Sequence, residues 1–204
     1  MYEKIEIEGK NLEEIINKLS NEFKLDRNDF IIINSEEKGS LFKGKKLIAQ
    51  IIKKDDLKNY IRDFFKNLEK YMNVKINFEI KEENNNYNIM LVSDNNSILI
   101  GKEGKNLEAI QTIMRAIIKK LTNNNVSLNI DVSNYKAKKI NNLEHEIKKI
   151  VKDILDSKIA VKLDPMNSYE RMIVHNYVSK YENLKTESIG EEPNRYIIIK
   201  YEEN

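Results

Sequence analysis

The chain has 204 residues, 33% of them charged and 40% hydrophobic, with 35 Lys and Arg against 33 Asp and Glu for a net charge of +2. Cysteine and tryptophan are absent, which excludes a disulfide framework, thiolate metal sites and cysteine nucleophiles. No run of 18 apolar residues occurs, and the alternating charges of residues 1–6 lack the apolar core of a signal peptide, so a cytoplasmic protein is expected.

Residues 2–7 alternate as a short strand. Asn11 is placed to cap the next helix, with Glu14 three residues on as in a capping box. Leu12, Ile15, Ile16, Leu19 and Phe23 then recur at helical spacing. Residues 30–33 and 47–52 read as strands about the turn-rich segment 36–46. The first 52 residues are therefore expected to form a βαββ unit with little core of its own.

Asp55 and Asp56 suit a helix N-terminus, and Leu57, Tyr60, Ile61, Phe64, Phe65, Leu68 and Met72 mark the apolar stripe behind them. Strands at 74–80 and 87–92 follow, joined by a polar turn at 82–86. After Ser97-Ile98-Leu99-Ile100 comes Gly101-Lys102-Glu103-Gly104, then a helix with Leu107, Ile110, Met114, Ile117 and Leu121 on one face. Three asparagines at 123–125 break it, and residues 126–132 read as a strand. A long helix from Tyr135 to about residue 160 carries Ile140, Leu143, Ile147, Ile150 and Ile154 at 3,4,3,4 spacing. About two heptads are too few for a coiled coil, so the stripe is expected to pack within the chain. Pro165 breaks the pattern, Asn167 or Ser168 caps a helix running to Tyr181, and strands at 184–189 and 195–201 close the chain.

The Gly101 to Gly104 spacing is a weak signal alone, but its setting is specific. The first glycine ends an apolar turn and the second opens an amphipathic helix. Glycine lets the backbone approach a ligand closely, and the helix N-terminus presents N–H groups to phosphate. Lys102 and Lys105 add cations there, and Glu103 sits among them as an acid. The αββααβ order with this loop between its last two helices resembles a type II KH domain over residues 55–133. That resemblance implies single-stranded RNA gripped by Gly101, Lys102, Glu103, Gly104 and Lys105, with bases in a groove lined by Ile98 and Ile100.

Arg171 and His175 stand four apart on one helix, so the spacing brings a guanidinium beside an imidazole, suited to a phosphate and an unstacked base. Met172, Ile173 and Tyr177 are expected to supply that helix's core face. Residues 135–204 resemble the Arg-x-x-x-His single-stranded nucleic-acid-binding domain of bacterial Jag-type RNA-binding proteins. The resemblance rests on Pro165-Met166, Tyr169-Glu170-Arg171, His175 and the tail from Thr186 to Arg195. It implies Arg171, His175 and Arg195 near the nucleic acid. Where the family usually carries arginines after Tyr135, this chain has Lys136, Lys138 and Lys139, which keep charge but lose the bidentate fork. The first 52 residues resemble the Jag N-terminal domain, through Lys38, Gly39, Leu41 and Gly44, with Phe42 in place of the aromatic expected at Ser40.

The expectation is thus an α+β protein of three small modules: 1–52, a Jag-like N-terminal domain; 55–133, a KH domain; and 135–204, an Arg-x-x-x-His domain. The resemblance implies a cytoplasmic single-stranded RNA-binding regulator of cell elongation and division or envelope-related genes. It further implies a small single-KH-domain protein as partner and a membrane insertase as neighbour. Neither motif demands a 2′-OH, so DNA stays open as a ligand. No catalytic residue, metal site or cofactor is expected: Glu144-His145-Glu146 point in different directions from a helix and read as a solvated face. The alternative is a protein-interaction adaptor that has lost RNA binding.

Overall fold

The computed structural model describes residues 4–40 and 44–203, and the chain divides at Ser133 into two units, Met1–Ser133 and Asn134–Asn204. The first unit opens with β1 (Ile5–Gly9), α1 (Leu12–Phe23), β2 (Phe30–Ser40) and β3 (Gly44–Lys53), with a sheet ordered β1-β3-β2, antiparallel throughout. Asn11 caps α1 by accepting the Glu14 N–H at 2.9 Å. The Glu14 carboxylate returns to the N–H of Lys10 at 2.9 Å, one residue ahead of the reciprocal bond a capping box makes. Ile15 and Leu19 turn inward on Ile7, Phe30, Ala49 and Ile51. The segment expected as turn at 36–46 is mostly sheet: β2 and β3 pair from Phe30↔Lys53 out to Ser40↔Gly44. A long two-stranded ribbon needs no buried face at its tip, so the polar composition of 36–40 gave no strand signal. The residues placed on the Jag pattern as Leu41 and Phe42, like Tyr2, lie outside the described residues.

The same unit continues with α2 (Lys54–Met72), β4 (Ile76–Glu83), β5 (Asn86–Ser93), α3 (Asn96–Ile100), α4 (Lys105–Thr122) and β6 (Ser127–Val132). Its sheet runs β4-β5-β6, antiparallel then parallel. Asn84 and Asn85 both take positive φ between β4 and β5, the two-residue hairpin geometry that asparagine tolerates. Leu57, Ile61 and Phe65 of α2 are fully buried, with the Phe65 and Phe78 rings 5.3 Å apart. On α4 the inward residues are Leu107, Ile110, Met114, Ile118 and Leu121. Ile118, not the expected Ile117, is the buried member, because 114 to 118 to 121 keeps the 4,3 step of a straight helix. Strand β6 is at an edge, where Arg115 Nε donates to the Leu128 carbonyl (2.8 Å) and Gln111 accepts from the Ile130 N–H (3.1 Å). Two asparagines of the 123–125 break reach the irregular step of β2: Asn123 donates to the Ile33 carbonyl (3.0 Å) and Asn125 to that of Ile32 (2.7 Å).

The second unit comprises α5 (Tyr135–Ser157), β7 (Val161–Lys162), α6 (Ser168–Val178), β8 (Leu184–Ile189) and β9 (Tyr196–Tyr201), its sheet ordered β7-β9-β8 and antiparallel. The core gathers Ile147, Val151 and Ile154 of α5, Val174 and Val178 of α6, and Leu163, Leu184, Ile197 and Ile199; Leu143 and Ile150 pack against it. Strand β7 was not expected, since two residues carry no readable period. Helix α6 stops at Val178 rather than Tyr181, after which the Tyr181 N–H bonds to the Val178 carbonyl and the Leu184 N–H to that of Tyr181. The turn delivers Leu184 into the core.

Candidate nucleic-acid interface

The Gly101–Gly104 loop is held by geometry that only glycine satisfies at its first position. Gly101 sits at φ +70°, ψ −178°, a region essentially closed to residues with a Cβ. A Cβ there would lie 2.6 Å from Asn106 Cγ and 2.9 Å from the Asn106 backbone nitrogen. Asn106 is fixed in turn, its amide donating to the Ile98 carbonyl at 2.8 Å. The Gly101 N–H bonds to Ser97 at 2.8 Å, and Gly104, at φ +91°, sends its N–H to the Gly101 carbonyl at 3.3 Å. Glu103 between them is left-handed too, at φ +57°. The result is a tight knuckle whose Lys102, Glu103 and Lys105 are exposed. Helix α4 begins at Lys105, so its first N–H groups face the knuckle. Leu99 is fully buried and anchors α3. Ile98 stays 38% exposed and Ile100 is half-buried, so the two predicted groove residues differ in reach.

In the second unit Asn167 and Glu170 form a complete capping box that starts α6. Glu170 is itself buried and also accepts from Lys139 Nζ at 2.7 Å. Arg171 and His175 share a face as expected from their spacing, but that face turns inward. Arg171 belongs to the stripe 171, 174, 178 that buries Val174 and Val178, whereas Met172 is 48% exposed. The expectation of a solvent-facing guanidinium, with Met172, Ile173 and Tyr177 as the core face, is corrected accordingly. Arg171 is 6% exposed; its Nη1 donates to the Met166 carbonyl at 2.6 Å and its Nη2 to Glu192 Oε1 at 2.8 Å. The guanidinium therefore ties the chain before α6 to the 190–194 turn, which contains a cis Glu192–Pro193 bond.

His175 is half-buried, with Nδ1 at 2.5 Å from Thr186 Oγ1 on β8. Burial first, and then the neighbouring Arg171 charge, holds its pKa below the ordinary 6.5, so the ring is neutral at neutral pH. Nε2 has no hydrogen bond among the described residues and is not shut off from solvent. With Thr186 donating to Nδ1, Nε2 carries the proton and offers an N–H to a ligand oxygen. Arg195 lies half-buried, its Nε donating to Ser188 Oγ at 3.0 Å. Thr186 and Ser188 thus position two of the predicted residues, yet sequence reasoning named neither as functional. Their signal was alternation, since Leu184, Thr186 and Ser188 share one face of β8.

Comparison with known proteins agrees with these divisions. Residues 138–201 match the domain family named for its Arg-x-x-x-His motif, and residues 58–130 match the family described as KhpA/KhpB, KH domain. An RNA-binding protein KhpB from Clostridium symbiosum is 30% identical over 200 residues, covering 96% of this chain and 90% of that protein. One from Bacillus subtilis is 26% identical over 199 residues, covering 95% of this chain and 96% of its own length. One from Streptococcus pneumoniae is 27% identical over 112 residues, 55% of this chain and 34% of that protein.

Proposed function

The chain belongs to the KhpB family, and we propose on that premise that it binds single-stranded RNA through the Gly101–Gly104 knuckle and the His175 face of its second unit. The observation that carries the reading is the knuckle itself. A Gly-only backbone at Gly101 is packed against Asn106 while Lys102 and Lys105 stand exposed beside a helix N-terminus. In the second unit His175 and Arg195 are the groups placed to meet the strand, and Arg171 acts through the turn it holds. The module boundaries we propose are 1–52, 55–133 and 135–204. Family resemblance supports a non-enzymatic regulator in the cytoplasm that acts in cell elongation and division or in envelope-related gene control. It also supports a small single-KH-domain protein as partner and a membrane insertase as neighbour.

The test is the full chain with Lys102→Asp and Glu103→Asp together, titrated against a labelled unstructured RNA in fluorescence anisotropy. Added negative charge at the knuckle should weaken binding about tenfold or more without changing the melting curve. Unchanged affinity in a folded variant would remove the knuckle as a binding site. The net charge of +2 and the internal pairing of Arg171 favour the adaptor as a second reading. Binding that is absent, or insensitive to salt, would select it.

A further inference from the structure

The cations of the second unit are unevenly engaged. Lys139, Lys158, Lys185 and Lys200 are in ion pairs with Glu170, Glu203, Glu202 and Glu187. Lys162 and Lys180 lie over the Tyr196 and Tyr177 rings, and Lys136 is engaged as well. The side chains of Lys138, Lys148, Lys149 and Lys152 have no hydrogen bond, ion pair or ring contact among the described residues, and all four are exposed on α5. Three of them fall on one line. Lys138, Asn142, His145, Lys149 and Lys152 step by 4, 3, 4 and 3 along the helix and are all exposed. This line lies on the opposite side of the helix from the buried Ile147, Val151 and Ile154. It spans about 21 Å at 1.5 Å per residue. The helix's acids, Glu144, Glu146 and Asp153, stand to either side of it, and Asp156 ends it.

Such a row alternates ammonium groups, which bind phosphate as point charges, with an amide and an imidazole able to meet a base. We propose that the exposed face of α5 is a phosphate track for a single strand, separate from the His175 face and assigned by no family motif. The proposal rests on the RNA-binding reading and names a second stretch of contact within it.

The experiment uses the full chain carrying Lys138→Gln, Lys149→Gln and Lys152→Gln, which keeps helix propensity while removing charge. Its control carries Lys158→Gln, Lys185→Gln and Lys200→Gln, with the same change in net charge but at paired lysines. Each is titrated with a labelled unstructured RNA at several salt concentrations, and far-UV circular dichroism verifies the helix. The α5 variant should bind about tenfold or more weakly, and its slope of log K against log salt should be shallower by about 2, at roughly 0.7 per phosphate. The control should keep nearly the wild-type slope. Equal losses in both variants would reduce the effect to net charge and overturn the track. An unchanged α5 variant beside a wild type that binds would overturn it too, leaving the knuckle reading intact. If anionic vesicles, and not RNA, lose affinity for the α5 variant, the face is a membrane contact and the proposal fails. A wild type that does not bind RNA defeats the parent reading as well.

Discussion

Replacing Arg171 by Ala should destabilise the second unit while Glu192→Ala does so less. The Arg171 side chain is 7% exposed, and it makes one bond to a carbonyl and one to a carboxylate. Hydrogen bonds involving a charged group are each worth about 1.5–3 kcal/mol net. Glu192 is 60% exposed, however, so once freed it is rehydrated and its share falls toward the surface ion-pair range of about 0–1 kcal/mol. Loss of the Met166 bond and of the packed side chain remains, and we expect about 2–4 kcal/mol for Arg171→Ala. In Glu192→Ala the guanidinium keeps its carbonyl acceptor, and about 1–2 kcal/mol is expected. The two changes share a partner, so the double variant should fall short of their sum. In a unit of this size each kcal/mol shifts the melting temperature by about 4–8 °C. The assay is thermal melting of the full chain, with hydrogen exchange and mass spectrometry reporting on peptides from 135–204. An Arg171→Ala chain that melts with the wild type, keeps its exchange protection and loses RNA affinity would refute the reasoning. Arg171 would then meet the strand directly.

Gly101→Ala should cost about 1–3 kcal/mol and loosen the knuckle, because the new Cβ meets both the Asn106 side chain and its backbone nitrogen at a φ of +70°. Urea denaturation measures the loss, and a neutral result would mean that the loop is not held as described. The pH dependence of stability follows from His175, whose folded pKa is lowered below 6.5 by burial and Arg171. Above about pH 6.5 the ring is neutral in both states. As pH falls through 6.5 the unfolded chain takes up the proton first, so stability declines until the folded pKa is passed. Urea midpoints of wild type and His175→Gln at pH 7.5 and 5.5 test this: the variant should lose less between the two, and equal losses would contradict the buried-ring account.

Local patterns determined most of the elements. The Asn167 and Glu170 pair declared the start of α6, and a repeated 3,4 step declared the inward faces of α2, α4 and α5, because capping and amphipathicity act within one or two turns. The Gly101 knuckle was legible for a similar reason: two glycines at a helix start leave few uses for the backbone freedom they provide. Tertiary structure decided which of two adjacent stripes turned inward. Spacing says that Arg171 and His175 are neighbours but is silent on direction, and a long cationic side chain does not read as core until a carbonyl and a carboxylate close over it. The same holds for Thr186 and Ser188, ordinary strand residues until β8 lies beside α6 and puts their hydroxyls against His175 and Arg195. It holds again for the asparagines at 123 and 125, read in the sequence as a helix breaker. Their amides satisfy carbonyls of a strand some ninety residues away, a partnership that arises only when the chain is folded.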